Sequence, residues 1–378
     1  MDGAVEQGDR DLLTSPSAEA EGFNPRGLSF LLHNPLPTRI NGEGWCANHR
    51  SYTSSTDLTS HQPGGRPCQR GHRQPGITTV PPGRPHVRGF ALAASPRHLT
   101  CSAGDSQQAA PQIDVALIDD GPQAQAATAG LLAALDPKVV TRLGKVEKVA
   151  RLPGDVGVGF ALTATGLAYN SEWYEKNGLP APKRLSDLAD PKLKGKVVLP
   201  SISNTYGVGA LMLAARAGGG SEKAVDPGFE GIGKVAANAF TFDTTADVSN
   251  YFLQGQAVAS VWGGSRVETL ADKDFPIRFV YPEEGAIPLL ATANVVNKAP
   301  HPDLAQKFVN ALLEPGIQEK LAAEGYDGPT VSDAELDPAL AGRVVGPEQA
   351  AGMTPLDWTT VNAARAAWTD RWTKEVER

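Results

Sequence analysis

The sequence predicts an α/β fold of two lobes, beginning at residue 111. Three observations predict it. From Gln112 onward, apolar runs of strand length alternate with runs of helix length. Two β-rich runs, at 156–170 and 277–297, are longer than ordinary strands and fit two crossings between a pair of lobes. The composition changes abruptly at residue 110. The first 110 residues hold all three cysteines, six of the seven histidines, ten arginines and no lysine, whereas the rest hold fifteen lysines, ten arginines, one histidine and no cysteine.

The elements follow in order. "IDVALID" (113–119) is nearly all apolar, as a central parallel strand covered on both faces would be. "AQAATAGLLAALD" reads as an Ala/Leu helix, and "VGVGFALTATGLAYN" (156–170) as the first crossing strand. "SEWYEKNGLP" opens on a Ser cap and closes at Asn-Gly, the marks of a short helix. "LKGKVVLP" is a strand; "SNTYGVGALMLAARAGGG" is a helix with Ser203, Asn204 or Thr205 at its start and glycines at its end. "GFEGIGKVAANAF" and "TADVSNYFLQGQ" continue the alternation, before the strand "AVASVWGG" and the helix "SRVETLADKD". The second crossing run (277–297) precedes "PDLAQKFVNALLEPGIQEKLAAEG", with Leu304, Phe308, Ala311 and Leu312 on one helical face. The chain ends on the helix "DWTTVNAARAAWTDRWTKEVER", whose Trp358, Trp368 and Trp372 are expected in the core.

Residues 1–110 are rich in Pro, Gly, Arg, His and Ser and sustain no helical or strand period. They cannot bury much apolar surface, so disorder is expected. Arginine without lysine, with scattered Cys and His, is also what a GC-rich gene gives when read in a shifted frame or from the wrong start. Cys46, Cys68 and Cys101 lack the paired spacing of zinc sites, and no segment has the layout of a secretory signal.

The whole chain is 41% hydrophobic and 20% charged, as a soluble globular protein is, and its net charge of −7 argues against nucleic acid as a partner. No run of about 18 apolar residues is present to span a membrane. Catalysis has little to work with after residue 110: without Cys, and with His301 alone between prolines, neither Ser-His-Asp nor Cys-His chemistry is assembled. "GIGKVA" (231–236) fits a dinucleotide fingerprint by letter, but no strand precedes it. No enzyme, cofactor or metal is therefore expected.

Residues 111–378 resemble the extracellular solute-binding proteins of ABC importers, in the branch with spermidine/putrescine-binding and thiamine-binding periplasmic proteins. The resemblance rests on "DVALIDDGP", "TGLAYN", "LADPKLKGKVVLPSISNTYG", "VWGGSRV", "VYPEEGA", "PDLAQKFVNALL", "EGYDGPT" and "DWTTVNAARAAWTDRW", in the family's order. It implies a type II periplasmic-binding-protein fold, with lobe 1 from 111–161 and 287–378 and lobe 2 from 162–286. Also implied are a periplasmic monomer, a small-molecule ligand held between the lobes, and delivery to a permease and ATPase at the inner membrane. Nothing in residues 1–110 resembles the family's opening, so the first lobe is expected to lack its opening strands and to leave strand 113–119 with a bare edge.

Several residues are candidates for the cleft. Asp119 and Asp120 end a strand, where ligands of open α/β sheets sit; they suit a cation or cap the loop at Gly121. Thr165 lies on the first crossing run, where it faces the cleft or packs in the sheet. Asn204, Thr205 and Tyr206 open a helix whose free N–H groups can hold polar atoms, or simply cap it. Trp262 and Arg266 stand at a strand end with a Gly-rich turn, where an indole can stack on a cation. Asp243 and Glu284 are further acids near strand ends. An organic cation such as a polyamine or thiamine is the expected ligand, with a carboxylate or phosphonate as the alternative. No two tyrosines are adjacent, which argues against ferric-ion binding.

Overall fold

The computed structural model describes residues 90–92 and 111–377. The expected disorder or mis-framing of residues 1–110 lies outside them, except at one point. Phe90–Leu92 form a short strand, β1, parallel to β2 (Val115–Asp119), with Phe90 opposite Val115. The edge of β2 is therefore not bare along those residues, which corrects the expectation. A sheet edge needs only the N–H and C=O groups of an extended neighbour, and three residues supply them.

The remaining strands are β3 (Leu132–Ala133), β4 (Val158–Asn170), β5 (Val197–Pro200), β6 (Ala239–Asp243), β7 (Ala259–Gly263), β8 (Ile277–Val280) and β9 (Ile287–Val296). Helices α1 (Asp120–Thr128), α2 (Ser171–Lys176), α3 (Thr205–Ala217), α4 (Asp226–Ala236), α5 (Ser249–Leu253) and α6 (Gly264–Ala271) alternate with them. Then come α7 (Pro302–Leu312), α8 (Pro315–Gly325), α9 (Pro347–Gly352) and α10 (Trp358–Glu375). Among the described residues, the strands form one nine-stranded sheet in the order β1-β2-β9-β4-β7-β5-β6, with β3 on β9 and β8 on β4. No helix among them is long and apolar enough to cross a membrane.

Strand β4 is the spine that joins the lobes. Its first half pairs antiparallel with β9 from Val158 to Thr165, and its second half is flanked by β7 and β8. Phe160, Leu162 and Ala164 pack in one core with Val115, Leu117 and Leu290, whereas Leu167 packs in another with Leu199, Leu211 and Val261. The change of core on β4 thus falls between Ala164 and Leu167.

Three further expectations are corrected. The second crossing run breaks into β8 and β9, because Pro282 and Gly285 (φ 88°) turn "YPEEGA" out of the sheet; both pieces still lie along β4. The helix expected through "GLLAALD" stops at Thr128, and the αL backbone of Gly130 (φ 68°) redirects the chain into β3. Pro315 divides the later helical run in two, and α7 buries Ala305, Gln306, Val309 and Leu312, a face turned from the one expected.

The tryptophans of the terminal helix lie in the core, as expected. Trp358, Val361, Trp368 and Trp372 share a core with Val208, Leu211 and Phe229. Helix α10 also holds α1: a Cβ on Gly121 would lie 2.8 Å from the Trp358 ring, and Asn362 donates to the Gly121 carbonyl at 3.1 Å. Covalent order cannot reveal this, since a helix after the last strand can reach either core.

Candidate functional site

The carboxyl end of β2 meets the starts of α3 and α6, which follow β5 and β7. Asp119 closes β2, and its Oδ2 accepts a hydrogen bond from Thr205 Oγ1 at 2.9 Å, joining the first lobe to the second. Thr205 is set by the helix cap before it. Asn204 Oδ1 accepts from the Gly207 N–H at 3.0 Å while its Nδ2 donates to the Asp243 carbonyl at 3.0 Å. Tyr206 then turns inward beneath Gly263, where a Cβ would strike its hydroxyl, and that hydroxyl is hydrogen-bonded with Arg266 on α6.

Burial sets the electrostatics. Asp119 keeps some exposed surface, but its carboxyl lies among protein atoms and its pKa is raised by that burial, against the pull of the Thr205 hydroxyl and the Arg266 charge. Asp120 is 6% exposed, and burial followed by the charge of Asp119 pushes its carboxyl up to about 7. The indole of Trp358 stands beside Asp120 and favours its ionised form, although Nε1 makes no hydrogen bond of normal geometry among the described residues. Burial pushes Tyr206 up to about 12, with Arg266 opposing and the charges of Asp119 and Asp327 adding to the rise. Among the described residues, the cluster therefore brings Asp119, Asp120, Asp327 and Arg266 around Tyr206 and the end of β2.

Of the residues picked out by sequence, Asp119, Asp120, Asn204, Thr205, Tyr206 and Arg266 are brought together. Asp243 stands at the edge, its carboxylate closing a turn by accepting from Thr245 N (3.0 Å) and Oγ1 (2.8 Å). Three others do not reach the cluster. Thr165 is 1% exposed, lying under α3 where a Cβ on Gly209 would touch its methyl at 2.9 Å. Trp262 is 2% exposed, stacked on Phe252 with centroids 6.4 Å apart, and its Nε1 donates to the Ala246 carbonyl at 3.3 Å. Glu284 accepts from the Leu185 N–H at 2.6 Å and pins a surface turn.

Sequence reasoning missed Asp327, 5% exposed in "EGYDGPT". Its neighbours in "LAAEGYDGPTVSD" include Glu324, Thr330 and Asp333, so no local pattern set it apart. Beside the cluster, a cavity of about 100 Å³ is lined by Thr163 and Ser265, whose N–H donates to Thr163 Oγ1 at 3.1 Å, and by Glu268, Tyr281, Tyr326 and Arg343. Arg343, from the first lobe, crosses to α6 and binds Glu268 at 2.8 Å while lying 4.4 Å from the centre of the Tyr326 ring. Among the described residues no group of three or more His, Cys, Asp or Glu side chains is placed to hold a metal ion.

A bilobal sheet with a polar cluster between its lobes is the form of a binding protein, and the family comparison agrees. Residues 100–343 match the model of the bacterial extracellular solute-binding proteins. The chain belongs to that family. The match begins inside the segment set aside at 1–110. The spermidine/putrescine-binding periplasmic protein of Salmonella typhimurium is 24% identical over 188 residues, covering 48% of this chain and 52% of that one. The chain thus spans about half the length of the curated relatives it matches. An ABC transporter structure from Clostridium perfringens superposes with a TM-score of 0.63 at 21% identity, over 75% of this chain and 89% of its own. The periplasmic binding protein AfuA of Actinobacillus pleuropneumoniae, with fructose-6-phosphate bound, gives 0.61 at 19% identity, over 75% and 88%. Family and fold are those of solute-binding transport proteins rather than of enzymes, and family members are extracellular or periplasmic.

Proposed function

We propose that this solute-binding protein is the periplasmic substrate-binding component of an ABC importer, taking an organic cation such as a polyamine or thiamine between its lobes and delivering it to a membrane permease. The observation that carries this reading is the gathering of carboxylates at the site among the described residues: Asp119 acts on both Asp120 and Tyr206, and Asp327 also acts on Tyr206. Burial of like charges is unfavourable until a cation neutralises them. The polyamine-binding relatives support the choice. A small anion is the second reading, favoured by Arg266 and the N–H groups at the start of α3.

Asp120 supplies the test. With its carboxyl pushed up to about 7, the folded chain keeps a proton that the unfolded chain releases above about 4. Its contribution to stability is present at low pH and falls as pH rises from about 4 through about 7. A cation that binds ionised Asp120 must displace this proton. Calorimetry of spermidine binding at pH 6.5, in buffers of different ionisation enthalpy, is expected to show proton release and an affinity rising up to about tenfold per pH unit below 7. Proton uptake, or binding of phosphonates alone, would favour the anion reading.

Closure follows from the same contacts. Ligand favours the closed form only through its greater affinity for it, and the Arg343 bridge favours that form without ligand. The bridge is part-exposed, so Arg343→Ala is expected to shift the balance toward the open form by roughly fivefold. Small-angle scattering of the ligand-free protein would show a larger radius of gyration; an unchanged radius would deny the bridge this role.

A further inference from the structure

Helix α10 touches both segments that feed the cluster, and does so from one face. Trp358, Asn362 and Arg365 stand at i, i+4 and i+7, so they line up along the helix. Toward α1, the Trp358 ring packs on Gly121. Asn362 Nδ2 donates to the Gly121 carbonyl at 3.1 Å, while Asn362 Oδ1 accepts from Gln125 Nε2 at 2.8 Å. Gly121 lies just beyond Asp119 and Asp120. Toward β5 and α3, Arg365 Nη2 donates to the Ile202 carbonyl at 2.7 Å, shortly before Thr205.

Arg365 is an unusual choice for that place. Burial lowers its pKa, and among the described residues no carboxylate is paired with it. Arg371, further along the same helix, pairs instead with the carboxylates of Asp226 and Glu375. A guanidinium removed from water is costly, and packing alone would be served by Leu or Met. What Arg adds is a donor for one carbonyl. That carbonyl belongs to a buried loop, with Ser201 5% and Ile202 1% exposed, where water cannot replace a lost donor. The loop is tied closely to α3. The Ser201 carbonyl accepts from the Asn204 N–H at 3.1 Å, and a Cβ on Gly207 would lie 2.0 Å from that carbonyl oxygen. A shift of residues 201–204 therefore carries Thr205 with it.

We propose that α10 sets the spacing of the cluster, with Arg365 and Asn362 as positioning residues that hold the Thr205 hydroxyl against Asp119. Asn362 fixes the start of α1, next to Asp119, and Arg365 fixes the loop that leads into Thr205. The 2.9 Å contact between Asp119 and Thr205 is the result. This role is the same whichever ligand the cluster takes.

The test follows Asp119 in the ligand-free full chain, by NMR titration of 13C-labelled aspartate carboxyls. The Thr205 hydroxyl lowers the Asp119 pKa, so Thr205→Val is expected to raise the midpoint. Arg365→Met keeps length but not the donor and is expected to raise it by a similar amount, Asn362→Ala likewise, and Arg365→Lys by less. Combining Arg365→Met with Thr205→Val should add nothing. Asp120 on α1, Tyr206 on α3 and Arg266 on α6 share the electrostatics of that carboxyl and are common to every variant. Spermidine affinity is expected to fall a few-fold in Arg365→Met and no further in the double variant. If spermidine does not bind the wild type, the cation reading fails and the titration still decides this one. A wild-type midpoint in either Arg365→Met or Asn362→Ala would overturn the proposal. So would a further rise in the double variant, or a shift in Arg365→Lys as large as in Arg365→Met, since either marks a general loosening. Should Arg365→Met fail to fold, Arg365→Lys and Asn362→Ala carry the same comparison against Thr205→Val.

Discussion

Trp262→Ala is expected to destabilise the protein by about 3–5 kcal/mol, the usual range for deleting a buried Trp side chain. The residue is 2% exposed and fills the space beside Phe252, so its removal leaves a void that β7 and α5 cannot close without moving. A second loss adds to the first. The indole N–H donates to Ala246, whose φ of 63° is unusual for a residue with a side chain, and that bond helps hold the turn. Trp262→Phe, which keeps most of the volume but not the bond, is expected to lose roughly 1–2 kcal/mol. Chemical denaturation of the three proteins gives the comparison. If Trp262 were instead a platform for ligand, Trp262→Ala would unfold within about 1 kcal/mol of the wild type and lose affinity alone.

The same residue shows where sequence stops being informative. β7 is buried at every position from Ala259 to Gly263, so alternation cannot say which face of the sheet the indole takes. Asp119 was legible for the opposite reason. An acid closing an apolar strand has few places to point other than the carboxyl end of the sheet, where the structure puts it. Asn204 was legible as a helix cap, because a short polar side chain ahead of a Gly- and Ala-rich helix has a local partner. By contrast, Asp327 and Arg343 reach the cleft through long-range packing that no local pattern encodes. The strand and helix alternation was read well in the stretches where strands are continuous. It failed at Gly130, Pro282 and Pro315, where one residue's backbone overrides a favourable composition.

Asp119→Asn is expected to weaken cation binding by about 10–100-fold, since a charge-assisted hydrogen bond in a site removed from water contributes roughly 1.5–3 kcal/mol. Stability should move little. Asparagine keeps an oxygen that can accept from Thr205 Oγ1, now found 2.9 Å from the Asp119 carboxylate, and the change removes a charge that burial already disfavours. Thermal unfolding with and without spermidine separates the two effects, because a ligand that binds the folded state raises the midpoint according to its concentration over Kd. The variant should also lose part of the repulsion that keeps Asp120 protonated, so its proton release at pH 6.5 should shrink. Thr205→Val isolates the bridge from the charge. It breaks the contact between the lobes yet leaves the carboxylate, and should reduce affinity by only a few-fold. Full affinity in Asp119→Asn together with a large loss in Arg266→Gln would reverse the assignment: the guanidinium, not the acids, would then be reading the ligand, and that ligand would be an anion.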